Sequence, residues 1–136
     1  RLTGWDAAAV ERARAGATER LQNPECQKVF TDFRDAEGRT IQQNLAAWRM
    51  SPAEYLQIIP FVDGSGEKLC RSRRIALVAT PNVRRVVVCP AFADLQLRQP
   101  REAESMIIHE NLHTLGLGEN PPTSIEITRR VESRCH

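Results

Sequence analysis

A chain of 136 residues fits one domain, residues 1–136, and is long enough to bury a respectable core. Apolar residues are 41% and charged residues 26%, an ordinary globular balance, and a formal charge of +2 is too small to argue for nucleic acid or an acidic membrane surface. No run approaches the roughly 18 apolar residues that a membrane helix needs, so no membrane partner is expected.

Taken in chain order, the start Arg1-Leu2-Thr3-Gly4-Trp5 lacks an apolar signal core. It opens on arginine rather than methionine, which leads to the expectation that a leader has been removed. Asp6 to Leu21, rich in Ala, Glu and Arg, predicts a first helix. Asn23-Pro24-Glu25 starts a second, running to about Phe33, with proline at its first position. Ile41, Leu45 and Trp48 recur at helical spacing, and Ser51-Pro52-Ala53-Glu54 reads as a capping box.

The middle of the chain changes character. After Ile58, Ile59, Phe61 and Val62, the run Asp63-Gly64-Ser65-Gly66 marks a turn. Ile75 to Thr80 and Val83 to Val88 are β-type runs around Pro81-Asn82, predicting an antiparallel hairpin that the Ile58 segment extends. Pro100 opens a helix, Arg101 to about Leu115, closed by Gly116 and Gly118. A last helix runs from Thr123 to about Arg134. Helices, hairpin, long helix and short helix add up to α+β in one domain.

The segment that carries chemistry is His109-Glu110-Asn111-Leu112-His113. Residues four apart lie on one face of a helix about one turn from each other, so both imidazoles can reach one metal ion without moving the backbone. Glu110 is offset around the helix, where its carboxylate can act as general base on a water activated by zinc. A three-position pattern arises by chance on ordinary amphipathic helices. Here it lies among Met106, Ile107, Ile108, Leu112 and Leu115, where two buried imidazoles are costly without a partner.

Extended, the stretch reads His109-Glu110-x-x-His113-x-x-Gly116-x-x-Glu119, and it resembles the zincin metallopeptidases, with a metzincin-like glycine turn. The third ligand in the metzincin motif is usually histidine, sometimes aspartate; here the position holds Glu119. No methionine follows Met106, so the metzincin methionine turn has no counterpart. The resemblance covers about twenty residues and implies a compact zincin-like domain that binds one Zn²⁺ and hydrolyses a peptide or protein substrate. It also implies an edge strand that pairs with extended substrate, for which Val83 to Val88 is the candidate.

Two glutamates compete for the third ligand. Glu119 has metzincin spacing, and two histidines with one glutamate form an established catalytic zinc set. Glu126 lies on a later helix, as in gluzincins, but Thr123-Ser124-Ile125-Glu126 already gives it a capping role. Glu119 is preferred, giving His109, His113 and Glu119 as ligands and Glu110 as catalytic base. The alternative is a catalytically silent zincin-like module, binding or inhibitory, that retains its zinc.

Other residues read more plainly. Tyr55, the only tyrosine, is a candidate oxyanion donor but sits where core residues sit. Trp5 and Trp48 are expected in the core, and His136 in solvent. Arg71, Arg73, Arg74, Arg84 and Arg85 gather around the hairpin as a solvated face. The four cysteines form no C-x-x-C pair, so two disulfides and a secreted or periplasmic location are expected. Of three possible pairings, Cys89–Cys135 with Cys26–Cys70 is preferred, since it would tie the last helix to the strands.

Overall fold

Helix α1 spans Gly4–Arg20, and its alanines explain both its existence and its packing. Alanine is the best helix former, and Ala9, Ala13 and Ala17, four apart, form a smooth buried face with Val10. The computed structural model describes residues 2–72 and 74–136. Arg1 and Arg73, the latter part of the expected arginine cluster, lie outside the described residues. The predicted second helix is two short ones, α2 (Pro24–Gln27) and α3 (Val29–Asp32), separated at Lys28. Helices α4 (Ile41–Ala46) and α5 (Pro52–Ile58) both begin in full capping boxes, Thr40 with Gln43 and Ser51 with Glu54.

Three short strands follow: β1 (Phe61–Asp63), β2 (Leu77–Val78) and β3 (Val86–Val88). The β2–β3 pair is antiparallel, as the hairpin reading expects. β1 lies parallel to β3 on its other side, with Phe61 opposite Val86, so the sheet order is β1-β3-β2. This corrects the choice of edge strand. The Val83–Val88 run supplies the central strand, enclosed on both sides, and the two edges belong to β1 and β2. Local sequence pattern carries no signal for pairing order, which is why the assignment missed.

Helix α6 (Ala91–Arg98), absent from the sequence reading, fills the interval before Pro100. Its Phe92 is fully buried. Helix α7 (Pro100–Thr114) then runs through the centre of the molecule, packed against α1, α6, α8 and the sheet. Ala103, Ile107, Ile108 and Leu112 are all fully buried along it, each larger side chain contributing about 1.5–3 kcal/mol relative to exposure. Helix α8 (Ser124–Arg134) closes the chain. The architecture is α+β.

The disulfides are Cys26–Cys135 and Cys70–Cys89, which overturns the preferred pairing. Connectivity of four cysteines does not follow from sequence. Here the end of α8 packs on α2 and α3 instead of on the strands, so Cys135 meets Cys26. No helix of the described residues is long and apolar enough to cross a membrane. The two tryptophans also depart from expectation: Trp5 is 79% exposed and Trp48 45%, with the Arg84 guanidinium stacked 3.9 Å over the Trp48 ring. Arg71, Arg74, Arg84 and Arg85 are exposed, as a solvated face requires.

Candidate metal centre

The site grows from the end of α7. Beyond Thr114 the chain turns at Gly116, whose φ of +117° suits glycine and strains any other residue. The Leu117 N–H donates to the Leu112 carbonyl and the Gly116 N–H to the His113 carbonyl, the two bonds of a Schellman turn. That turn reverses the chain so that Leu117 and Glu119 come back over the last turn of the helix. The Leu117 carbonyl then accepts from His113 Nδ1 at 2.6 Å, and Glu119 Oε1 lies 3.1 Å from His113 Nε2.

His109 and His113 are both buried, with ring centroids 5.1 Å apart. His109 Nδ1 lies 3.0 Å from the Thr128 hydroxyl on α8, and its Nε2 is 3.7 Å from Glu119 Oε1. Both rings therefore turn Nδ1 toward the protein and Nε2 toward one point. Ligand atoms from His109, His113 and Glu119 all lie within 4.8 Å of one another. Among the described residues this is the one group of three such side chains so arranged.

Hydrogen-bond chemistry tests whether a cation fits. A carbonyl oxygen can only accept, so the bond to Leu117 puts a proton on His113 Nδ1. In the neutral ring Nε2 then carries a lone pair, and it faces a carboxylate oxygen, a second acceptor. A proton on Nε2 or a divalent cation with N and O ligands bridges two such acceptors, so the donor set fits a metal. Engaging the outer ring nitrogen is also how proteins orient metal-binding histidines. Burial lowers the pKa of His109 below its ordinary range, and the neighbouring His113 adds to the effect. The imidazole so favoured is the neutral, ligating form.

Glu110 stands beside this point without joining it. Its side chain is 12% exposed, with Oε2 3.8 Å from His109 Nε2. Burial pushes its carboxyl up to about 8; the charge of Glu119 acts in the same direction, and a hydrogen bond from the Ala79 backbone opposes both. A cation held by the two histidines and Glu119 would favour the ionised form.

Comparison with protein-family models, with curated proteins and with solved structures yields no match to this chain.

Beside the site lies a cleft of about 470 Å³. Glu110, His113, Glu119 and Ser124 line it, together with Leu77 and Val78 of β2 and the neighbouring Leu69, Ile75, Ala79 and Pro81. Smaller hollows beside His136 and Arg20 contain no such ligand group among the described residues.

The remaining candidates fall elsewhere. Glu126 Oε1 accepts from the Thr123 N–H at 3.2 Å while its own N–H donates to the Thr123 hydroxyl, a complete capping box. Tyr55 is buried, its hydroxyl paired with Thr114 Oγ1 at 2.9 Å, and it does not line the cleft. His136 is exposed. Sequence reasoning missed Thr128, Leu117 and Ala79. The first lies on another helix, and the other two act through backbone atoms that no residue type announces.

Proposed function

We propose that the chain is a zinc-dependent peptide hydrolase, with His109, His113 and Glu119 holding the metal and Glu110 serving as general base. The observation that carries the reading is the convergence of two Nε2 atoms and a carboxylate, with Glu110 adjacent, beside a cleft that Glu110, His113 and Glu119 help to line. The HExxH spacing and the zincin resemblance support the same chemistry.

When bound, zinc supplies a Lewis acid for the scissile carbonyl and makes water a nucleophile near neutral pH. The protein's own work is distributed as follows. Glu110 takes a proton from the attacking water and returns it to the departing nitrogen. Burial raises the proton affinity of this carboxyl, and a cation beside it would favour the ionised form that a general base needs. Ala79 orients the carboxylate through its backbone N–H. The outer edge of β2 offers an extended peptide main-chain partners, and the apolar wall beside it excludes water.

Two disulfides support a place outside the reducing cytoplasm, secreted or periplasmic. A closed coordination shell of four protein ligands would support the other reading, a silent, zinc-retaining module. Glu126, the glutamate that would help close it, is engaged in its helix cap.

The test pairs metal analysis with cleavage. Purified chain should carry about one zinc, as such sites do. Glu110→Ala should keep the zinc while peptide-library cleavage falls by roughly 10²–10⁴-fold, the usual worth of a positioned base. A parent chain that takes up no zinc, or a Glu110→Ala chain that cleaves at the parent rate, would defeat the proposal.

A further inference from the structure

We infer that Asn44, anchored by Asp35, is a positioning residue for the metal centre: it clamps the Gly116 turn from which Leu117 and Glu119 reach His113. The inference rests on the zinc reading above and adds to it what holds the third ligand in place.

The clamp starts with a saturated carboxylate. Asp35 is buried between α3 and α4, and its Oδ1 accepts from the backbone N–H groups of Glu37 and Arg39, each at 2.9 Å. Oδ2 accepts from Arg39 Nε at 3.1 Å and from Asn44 Nδ2 at 2.9 Å. Four bonds fill the acceptor sites of a carboxylate, so Asp35 is a fixed post. The Asn44 amide has two hydrogens. One goes to Asp35, and the other to the Leu115 carbonyl at 2.8 Å, across 71 residues of sequence.

Leu115 is the C-cap of α7, and its carbonyl has no partner within the helix. Asn44 satisfies it and, in doing so, sets the direction in which the chain leaves. The β2–β3 loop grips the same place, because the Asn82 N–H donates to the His113 carbonyl at 3.1 Å. The closeness shows at Gly116, where a β-carbon would stand 3.2 Å from Asn44 Nδ2, 3.2 Å from Asn82 Oδ1 and 3.3 Å from Asp35 Cβ. Three separate segments of chain thus converge on one turn. Downstream of that turn lie the carbonyl that sets the His113 tautomer and the carboxylate that completes the ligand group. Glu119 is 41% exposed, so packing around its own side chain does little to hold it. A tilt of the turn moves both groups together, and displacements of about 1 Å are what metal and catalytic sites tolerate least.

The full chain with Asn44→Ala, and separately with Asn44→Leu, which keeps size but donates nothing, decides the matter. Zinc affinity is read by competition with a chromophoric chelator, and amide exchange is read in metal-free protein. Both variants should bind zinc more weakly by about 10-fold, the lower end of what losing a direct outer partner of a ligand costs, because Asn44 acts one bond further out. The Gly116 and Leu117 amides should exchange faster while α1 keeps its protection. Asp35→Asn should shift both readings the same way. Parental zinc affinity in both Asn44 variants would overturn the inference, even with faster exchange. A parent chain that binds no zinc would overturn the zinc reading, and the clamp's role with it.

Discussion

The two ends of α8 are held by different physics. At its C-terminal end Cys135 is bonded to Cys26, and Arg134 makes a two-pronged pair with Asp32, 3.0 Å on each arm, and reaches Glu25 at 2.6 Å. At its N-terminal end the chain arrives through residues 116–123, which carry Glu119 on a glycine turn and an asparagine clamp. Covalent and ionic fixation sits at the far end of the helix from the segment that carries Glu119, and that segment depends on a few directional hydrogen bonds. The contrast separates two duties. The first end resists unfolding, and the second sets geometry, so each should fail separately when cut.

Removing the covalent tie should give the largest effect on folding. Cys26→Ser with Cys135→Ser is expected to cost about 2–5 kcal/mol in denaturant unfolding. The Cys70–Cys89 bond closes a shorter loop, 19 residues of separation against 109. In the chain-entropy account its loss should cost about 1.5 kcal/mol less. Equal losses from the two pairs would contradict that account here. Zinc affinity of the folded Cys26/Cys135 variant should stay at the parent value, and a collapse of metal binding would erase the distinction between the two ends.

The paired glutamates probe the other end. Glu119→Ala should weaken zinc binding by more than the ~100-fold upper range of outer-partner losses, with the thermal midpoint of metal-free protein nearly unchanged. Glu126→Ala should do the reverse: zinc affinity kept, and a loss of about 1 kcal/mol from the cap. Parental zinc affinity in a folded Glu119→Ala chain would reverse the assignment.

Acid sharpens the comparison with the smallest effect. Hydrogen bonds from Lys28 and Arg134 hold Glu25 down at about 2. Burial raises Asp32, but the bonds and charges of Arg134 and Arg130 outweigh it and leave its pKa lowered. Both carboxyls bind fewer protons folded than unfolded, so their contribution is complete above about pH 4 and fades as pH falls toward 2. The thermal midpoint of metal-free protein should drop across that window, and Arg134→Met should flatten the drop. An equally steep fall in the variant would mean that other carboxylates dominate.

What could be read from sequence was whatever is written locally. The HExxH spacing, the Gly116 turn, the capping boxes of Ser51 and Thr123 and the approach of Glu119 to His113 all lie within a dozen residues of their partners. Each is set by backbone geometry that the sequence encodes directly. What depended on distant segments was not legible. The parallel seat of β1 beside β3, the order that leaves β2 at the edge and the Cys26–Cys135 pairing are decided by how helices stack. Helix α6 carries no start signal in the sequence, because Pro90 at its N-cap offers no capping side chain. Trp48 sits on a correct helical spacing yet lies just past the end of α4, where it meets Arg84 at the surface.

His113 and Glu119 are six residues apart, and the carbonyl that orients His113 belongs to Leu117, four residues on. The entropy of closing a loop grows with its length, so bringing these three groups together is among the cheapest contacts the chain makes. Only the Thr128 hydroxyl has to arrive from another helix, 19 residues from His109. Most of the His109, His113 and Glu119 group is therefore a low-contact-order feature inside a fold whose longer disulfide spans 109 residues. Local chain geometry brings these groups near one another, and long-range contacts from Asn44, Asn82 and Thr128 fix where they point.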